Sequence, residues 1–334
     1  MIVTDAWLPQ VNGVVRTLTT VVGELRAMGH VVEVIAPDRF RTIPCPTYSD
    51  IPLSLLPRRT LVRMIEAFQP DALHIATEGP LGIAARSWAK RTHFGFTTAF
   101  HTRFAEYIKA RTGFPLRPVY AWMRRFHGAA QGTMVATQSL RDELAARGFR
   151  NIRSWSRGVD LDLFTPTPRE QWNLPRPIFI CVGRVAIEKN IGAFLDLDLP
   201  GSKIVVGDGP ILSRLKRDYP NVTFTGPRHG EALARAYAGA DVFVFPSRTD
   251  TFGLVLLEAL ACGTPVAAFP VTGPIDVLAD AKGRIGAVDT DLRAAAMAAL
   301  TADRAACRAH AELYSWRACA EVFLSHLVPL AGAS

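Results

Sequence analysis

The sequence of 334 residues is 49% hydrophobic and 20% charged, so it can bury a large core and is long enough for two domains. It contains no apolar run of the ~18 residues that a membrane-spanning helix needs, and its first residues lack the layout of a signal peptide. Its five cysteines form no CxxC pair or Cys/His cluster, which excludes a zinc module and a disulfide framework. These features predict a cytoplasmic protein, either free or attached to a membrane surface.

The net charge of +8 is unevenly distributed along the chain. Residues 1–157 contain 21 Lys or Arg and 11 Asp or Glu, whereas the remainder contains 17 basic and 19 acidic residues. A basic domain attracts nucleic acid, an anionic membrane surface or phosphorylated substrates, and charge alone does not distinguish these partners. The distinction has to come from motifs.

Strands and helices are predicted to alternate along the whole chain. In the first half the expected strands are 2–4, 31–36, 72–75 and 96–100, and the expected helices are 13–28, 59–68, 80–90 and 138–147. In the second half the expected strands are 178–182, 203–206, 222–224, 242–245 and 265–269, and the expected helices are 188–195, 210–218, 229–238 and 252–261. This alternation is typical of doubly wound parallel sheets and predicts an α/β fold with two Rossmann-like domains.

A Pro-rich stretch at 164–177 separates the two runs, because proline disfavours both a helix interior and a central strand. We therefore expect a first domain at 1–160, a second at 168–310 and a tail at 311–334. A last helix at about 312–328 follows a sheet that is already complete. By analogy with two-domain proteins of this plan, it is expected to cross back onto the first domain.

In open parallel sheets, ligands bind at the carboxyl ends of strands, where helix amides can hold phosphate. Gly13 opens a helix after the first strand, and its missing side chain would let an anion approach the backbone; the alternative is a glycine that only makes the turn. The loop after strand 178–182 carries Arg184 and Lys189, five residues apart. These two cations can converge on one diphosphate in place of a metal ion, unless the loop is simply a basic surface.

The segment 247–266 is the most informative in the chain. Asp250 is expected at the start of a helix and Glu258 two turns later, so that both carboxylates can address one ligand. Glu258 is surrounded by Leu and Ala, an unusual setting for a carboxylate without a partner. The alternative is that Asp250 is an N-cap and Glu258 a solvated helix residue. The amides expected to donate to phosphate are those of Thr251, Phe252, Gly253 and Leu254.

These motifs resemble a known family. The loop 183–190 resembles the G-R-x-x-x-E-K-N signature, and 250–258 the E-x7-E signature, of the retaining glycosyltransferases of family 4 (glycosyl transferases group 1). The stretches 7–16 and 100–104 are similar to first-domain motifs of that family. The resemblance spans nearly the whole chain and implies the GT-B fold, in which two Rossmann-like domains face a cleft.

The resemblance also implies roles for individual residues. Arg184 and Lys189 would bind the donor diphosphate, Glu258 the ribose hydroxyls and Asp250 the hydroxyls of the transferred sugar. The segment from Phe252 to Leu254 would line the phosphate through its backbone.

On the first-domain side, Gly13 would meet the diphosphate, and His101 would lie beside the C6 hydroxyl of the sugar; a packed histidine is the alternative. The catalytic set would thus be His101, Arg184, Lys189 and Asp250. Glu78, which follows a first-domain strand, and Arg103 are candidate acceptor residues.

Two departures from the family pattern stand out. Asp250 occupies a position where the family usually has Glu, which shortens the reach of the carboxylate by one methylene. The family also usually has a few residues before the first strand, so either that strand is short or the true start lies upstream of Met1. A D-x-D pair, Asp196 and Asp198, ends a helix instead of following a strand, and we expect no metal site there.

The sequence thus predicts an enzyme that transfers a hexose from a nucleoside diphosphate sugar to a hydroxyl acceptor, with retention, no metal and no cofactor. Basic residues mixed with apolar ones at 58–63 and 117–125 favour a lipid acceptor such as diacylglycerol and a peripheral position at the inner face of a membrane. A solvated basic helix face is the alternative. A soluble or polysaccharide acceptor, or a catalytically silent protein that binds nucleotide sugars, also remains open. An absent dinucleotide fingerprint disfavours an oxidoreductase, and motifs concentrated at strand ends disfavour nucleic-acid binding.

Overall fold

A computed structural model describes residues 1–10, 12–45, 48–248, 250–281 and 283–329, with backbone only at 48–50, 110, 111 and 280. The chain divides into two compact units. Met1–Ser156 forms the first unit together with the segment from Trp316 onward, and Arg157–Ser315 forms the second. The division falls upstream of the Pro-rich stretch, which belongs to the second unit. Residues 330–334 of the expected tail lie outside the described residues.

A parallel sheet forms the centre of the first unit. The strands of this unit are β1 (Ile2–Val3), β2 (Val34–Ile35), β3 (Thr42–Cys45), β4 (Tyr48–Ser54), β5 (Leu73–Ile75), β6 (Phe96–Phe100), β7 (Gly132–Val135) and β8 (Ile152–Ser154). Six of them pair in the order β2-β1-β5-β6-β7-β8, all parallel. The remaining two, β3 and β4, form an antiparallel hairpin that the sequence patterns did not predict.

Helices cover both faces of this sheet. They are α1 (Gly13–Ala27), α2 (Arg58–Phe68), α3 (Pro80–Thr92), α4 (Phe104–Thr112), α5 (Leu116–His127) and α6 (Gln138–Ala146). Strand alternation separates the faces, since Leu73 and Ile75 of β5 pack into a core that includes residues of α2, α3 and α5. His74, between them in sequence, points to the opposite face, where it packs edge-on against Phe323.

The second unit has the same design. Its strands are β9 (Ile178–Val182), β10 (Ser202–Val206), β11 (Thr223–Gly226), β12 (Val242–Phe245), β13 (Val266–Ala268) and β14 (Gly286–Val288). They pair in the order β11-β10-β9-β12-β13-β14, all parallel. The helices are α7 (Ile191–Leu195), α8 (Leu212–Asp218), α9 (Gly230–Gly239), α10 (Leu254–Ala261), α11 (Thr272–Leu278), α12 (Leu292–Ala299) and α13 (Arg304–Ala311).

The chain then returns to the first unit. Helix α14 (Trp316–His326) packs on the face that carries His74, as the sequence predicted for the last helix. The Trp155 indole donates to the carbonyl of Cys319 at 3.1 Å, and Arg153 donates to that of His326 at 3.0 Å. The last helix starts later than the predicted residue 312, because the chain turns between α13 and α14.

Two helices near the predicted ligand-binding motifs also start later than predicted. Helix α10 begins at Leu254 instead of residue 252, because Gly253 has a left-handed backbone with φ of 84°. Asp250 therefore lies in the loop before the helix and not in its first turn. Similarly, residues Ile187–Lys189 form a 3₁₀ turn, and α7 starts only after Asn190, whose φ is 53°.

Among the described residues, no helix combines the length and the apolar character that crossing a membrane would require.

Candidate active site

In the second unit, the loops after β9, β10 and β12 meet at one edge of the sheet. The amide of Val185, in the loop after β9, donates to the carbonyl of Asp208, in the loop after β10, at 2.8 Å. The side chain of Asn190 donates to the carbonyl of Pro246, which follows β12, at 3.0 Å. The predicted motif residues Arg184 and Lys189 are thus held in a loop that is tied to both of its neighbours.

Glycines permit the close approach of the first two loops. Gly207 and Gly209 have φ of 148° and 159°, a backbone region that other residues rarely adopt. A Cβ atom on Gly207 would lie 1.9 Å from the carbonyl oxygen of Gly183, and one on Gly209 would lie 2.4 Å from that of Val185. The sequence pattern identified 207–209 only as a strand-to-helix turn, whereas the structure makes it the support of the loop that carries Arg184.

Lys189 and Asp250 form an ion pair across this edge. The Lys189 ammonium lies 2.5 Å from Oδ1 of Asp250, and both side chains are mostly buried. The other carboxylate oxygen, Oδ2, is buried without a hydrogen-bond donor among the described residues. The hydroxyl of Thr272 donates to the Asp250 carbonyl at 3.1 Å, which fixes the backbone of this loop. The family resemblance implied that Lys189 binds the donor diphosphate and Asp250 the transferred sugar, and it did not predict the contact between the two side chains.

Glu258 lies on α10 and is only 2% exposed. The hydroxyl of Tyr237, a fully buried residue of α9, donates to its Oε2 at 3.1 Å. The Tyr237 hydroxyl is therefore one partner of the buried Glu258 carboxylate. Tyr237 is a site residue that the sequence patterns did not predict. A tyrosine on a buried helix face gives no pattern that distinguishes such a role from packing.

The segment between these acids approaches α11 through its backbone. Phe252 is buried, and a Cβ atom on Gly273 would lie 2.2 Å from its carbonyl oxygen. Thr251, Gly253 and Leu254 are partly exposed, so the chain at the amino end of α10 is accessible as expected for a phosphate-binding backbone. Arg248, a cation that the sequence analysis did not select, stacks at 3.7 Å on the ring of Phe269 near the same loop.

In the first unit, Asp5 organises the carboxyl end of β1. Its carboxylate accepts hydrogen bonds from the amides of Leu81 and Gly82, at 2.8 and 3.2 Å, and from the Thr77 hydroxyl at 2.8 Å. It thus caps α3 from a distant strand. Burial raises the pKa of Asp5 to about 6. No role for Asp5 was predicted from the sequence.

Glu78 lies next to this cap and is paired with a histidine. Its Oε1 lies 3.0 Å from Nε2 of His127, whose other ring nitrogen lies 3.0 Å from the hydroxyl of Thr98. The hydroxyl of Thr133 continues this chain at 3.1 Å. His127 is 1% exposed, whereas the side chain of Glu78 is 12% exposed. Glu78 is therefore fixed on one side and accessible on the other.

The other first-domain candidates have different surroundings. Gly13 is exposed at the start of α1, where Asn12 caps the helix by accepting from the amides of Val14 and Val15, both at 3.0 Å. His101 is largely buried at the end of β6, with its ring 5.6 Å from that of Trp155.

Arg103 is engaged in a carboxylate network. Its guanidinium contacts both oxygens of Glu143, at 2.6 and 3.2 Å, and lies 3.5 Å from Glu106. The hydroxyl of Tyr120 donates to the same oxygen of Glu106 at 2.7 Å. The charge of Arg103 is thus compensated within the unit, so this residue has a structural role that the sequence did not suggest.

The described part of the chain contains no group of three or more His, Cys, Asp or Glu side chains placed to hold a metal ion. Asp196, the first residue of the D-x-D pair, lies at the end of α7 and accepts a hydrogen bond from the Tyr219 hydroxyl.

Comparison with known proteins identifies the same two halves. The family model Glycosyltransferase Family 4 matches residues 11–163, and Glycosyl transferases group 1 matches residues 176–303. A GDP-mannose-dependent alpha-mannosyltransferase of Mycolicibacterium smegmatis is 34% identical over 312 residues, which cover 84% of this chain and 82% of the relative. An alpha-monoglucosyldiacylglycerol synthase of Streptococcus pneumoniae is 28% identical over 306 residues, which cover 79% of this chain and 69% of that protein.

The fold is also that of solved structures. A sucrose-phosphate synthase from Thermosynechococcus elongatus superimposes with a TM-score of 0.71 at 23% identity, and the match covers 97% of this chain and 96% of that one. The two parallel-sheet units are thus those of the GT-B fold, as the sequence predicted.

Gly207→Ala should weaken the binding of nucleoside diphosphates about tenfold or more. The added Cβ atom forces the Gly183 carbonyl, and with it the loop that carries Arg184 and Lys189, out of position. Calorimetric titration with nucleoside diphosphates measures the effect, and thermal unfolding checks that the variant folds. Gly192→Ala is the matched control, because nothing lies within 4 Å of its Cβ position. Equal affinities in a folded Gly207→Ala variant would contradict the prediction.

Proposed function

This chain belongs to glycosyltransferase family 4, and from that premise we propose that it transfers a hexose to a lipid hydroxyl, with retention of configuration and without a metal ion. It is a glycosyltransferase that uses a nucleotide sugar. The observation that carries the finer proposal is the loop after β9, which presents Arg184 and Lys189 at the carboxyl end of the sheet.

The two cations of this loop act on the leaving group. A nucleoside diphosphate gains negative charge as the bond to the sugar breaks. Arg184 and Lys189 are cations whose attraction grows with that charge, so they stabilise the transition state more than the ground state. Because two cations and the amides at the start of α10 already neutralise the diphosphate, the reaction needs no metal ion and no cofactor.

Asp250 is proposed as the carboxylate that binds the transferred sugar. In the structure its Oδ1 holds Lys189, while the buried Oδ2 has no hydrogen-bond donor within the described chain. Leaving such an oxygen unsatisfied costs about 1–3 kcal/mol, and a sugar hydroxyl that donates to it would recover this free energy. The shorter Asp side chain thus remains able to serve as the sugar-binding carboxylate, with Lys189 orienting it.

The remaining donor contacts follow from the same arrangement. Glu258, oriented by the Tyr237 hydroxyl, would bind the ribose hydroxyls, and the backbone from Thr251 to Leu254 would line the phosphate. On the first unit, the exposed Gly13 would admit the diphosphate and His101 would contact the sugar.

We infer retention by attack on the face from which the diphosphate departs. In this step the bond between the anomeric carbon and the phosphate oxygen breaks, a bond to the acceptor oxygen forms, and the acceptor proton passes to the leaving diphosphate. Asp250 is held by Lys189, so it acts on the sugar hydroxyls and not as a nucleophile. Glu78, fixed by His127, would hold the acceptor hydroxyl in the first unit.

The lipid acceptor is proposed from one face of the first unit. Helices α2, α3 and α5 share one core cluster, each carries three Arg or Lys residues, and Glu66 is their only acidic residue. Ile83 and Trp122, 49% and 38% exposed, lie on the same helices. Cations mixed with exposed apolar side chains suit the surface of an anionic membrane. The likeness to a protein named alpha-monoglucosyldiacylglycerol synthase supports a lipid acceptor. A peripheral position at the inner membrane face is proposed from the basic surface alone.

Arg184→Ala and Lys189→Ala should each lower turnover about 30- to 1,000-fold, because each removes about 2–4 kcal/mol of leaving-group stabilisation. Lys189→Ala also leaves the Asp250 carboxylate unpaired, so Arg184→Ala is the simpler test. The measurement is release of nucleoside diphosphate from the sugar nucleotide. Lys216→Ala, an exposed cation on α8, is the control with the same charge change. Near-normal turnover in folded variants of both loop residues would remove the central claim.

Turnover should persist in excess chelator, because the cations of the loop replace a metal ion. The same release assay is run with EDTA, and then with added magnesium or manganese. A loss of turnover that either metal restores would refute metal independence while leaving the assignment as a glycosyltransferase intact.

The protein should co-sediment with anionic liposomes and not with neutral ones, and the bound fraction should fall as the salt concentration rises. Changing Arg58, Arg59 and Arg63 to Ser should reduce binding about tenfold or more, since each exposed cation contributes ~1 kcal/mol at such a surface. The control changes three exposed cations of the second unit, Arg214, Lys216 and Arg217, to Ser. A protein that glycosylates a soluble acceptor efficiently and ignores both liposome types does not use a lipid.

A further inference from the structure

An open cavity of about 480 Å³ lies on the surface of the first unit between α3 and α5. Its lining consists of Arg86, Lys90, Arg124, Arg125, Gly128 and Ala129. Four cations thus surround one depression whose remaining wall is made of small residues.

No negative charge balances these cations. Neither α3 nor α5 contains Asp or Glu, and within the described residues none of the four cations forms an ion pair. Burial lowers the pKa of Arg86, and the neighbouring Arg125 lowers it further. A cluster of like charges destabilises the fold that contains it, so an anion bound among them would relieve the repulsion.

One member of the cluster is rigidly placed. The guanidinium of Arg86 donates to the carbonyls of Phe126 and Arg125, at 2.9 and 2.7 Å. Arg124 donates one bond, to the carbonyl of Arg147 at 3.0 Å. Each guanidinium has five N–H groups, so both retain several donors for a ligand. Arg86 is therefore pre-organised by the carboxyl end of α5.

The cavity is separate from the strand ends described above. Helix α3 starts after the carboxyl end of β5, and Arg86 and Lys90 lie six and ten residues after Pro80. At ~1.5 Å per residue, they are about 9 and 15 Å along the helix from that edge. Arg124 and Arg125 lie in the last turn of α5, which is also away from the carboxyl ends of the strands.

We propose that this cavity binds a phosphate group, carried either by a lipid headgroup or by a soluble phosphate. A guanidinium group can donate two parallel hydrogen bonds to two oxygens of a phosphate, and a lysine ammonium adds a further positive charge. The site lies within the basic surface of α2, α3 and α5 that was proposed above to face a membrane, but it contains none of the residues proposed to contact the donor or the acceptor hydroxyl.

The test compares two charge-matched double variants, Arg124→Ser with Arg125→Ser, and Arg58→Ser with Arg59→Ser. All four residues are exposed, so both variants should fold. Each pair is made in the Lys189→Ala background, which weakens phosphate binding at the donor loop. Titration with inorganic phosphate, against chloride at equal ionic strength, should show binding that the α5 pair weakens about tenfold or more and the α2 pair leaves unchanged.

A second arm distinguishes the source of the phosphate. Phosphatidylcholine vesicles are doped with phosphatidylglycerol or, at equal negative charge, with oleate. A preference for phosphatidylglycerol that the α5 pair abolishes assigns the site to a lipid headgroup. Equal binding to both vesicles, together with α5-dependent binding of inorganic phosphate, assigns it to a soluble phosphate. If the α5 pair behaves like the α2 pair in both arms, or if no phosphate binds, the cavity is not a phosphate site.

Discussion

The ion pair between Lys189 and Asp250 is the contact on which the arrangement of the donor side depends. It joins the loop after β9 to the loop after β12, two strands that are neighbours in the sheet but far apart in the chain. The Lys189 ammonium neutralises Asp250 through Oδ1, while Oδ2 is buried and has no hydrogen-bond donor in the described ranges of the chain. An ion pair that is largely shielded from water is stronger than an exposed one but costs desolvation. A ligand that adds its own charges and hydroxyls to both partners offsets part of that cost without separating them.

Backbone packing makes that contact possible. The loops after β9 and β10 approach so closely that only glycine fits at Gly207 and Gly209. The position of the Lys189 loop is therefore set by main-chain atoms, which lose little freedom when a ligand binds. Catalysis through electrostatic stabilisation benefits from such pre-organisation, because the cations need not move as charge develops on the leaving group.

The sequence predicted the fold well and the contacts within the site poorly. The periodicity of apolar residues gave strands 96–100, 178–182 and 242–245 with the observed bounds, since buried parallel strands leave a strong local pattern. It missed the β3–β4 hairpin, which has prolines in both strands. It also started the helix after Asp250 at residue 252 instead of Leu254, because it did not weigh the left-handed Gly253. The Lys189–Asp250 and Glu78–His127 pairs join residues 61 and 49 positions apart, and no local spacing rule predicts such contacts.

The cations of the chain differ in what surrounds them, and this difference separates three kinds of site. Arg103 is paired with Glu143 and stabilises its unit, whereas Lys189 is paired with an acid that a substrate can also engage. The cations between α3 and α5 have no acid on either helix. Net charge does not distinguish these cases. The position of the nearest carboxylate distinguishes them. It decides whether a cation stabilises the fold, binds a substrate together with its acidic partner, or is available to an anion from outside the protein.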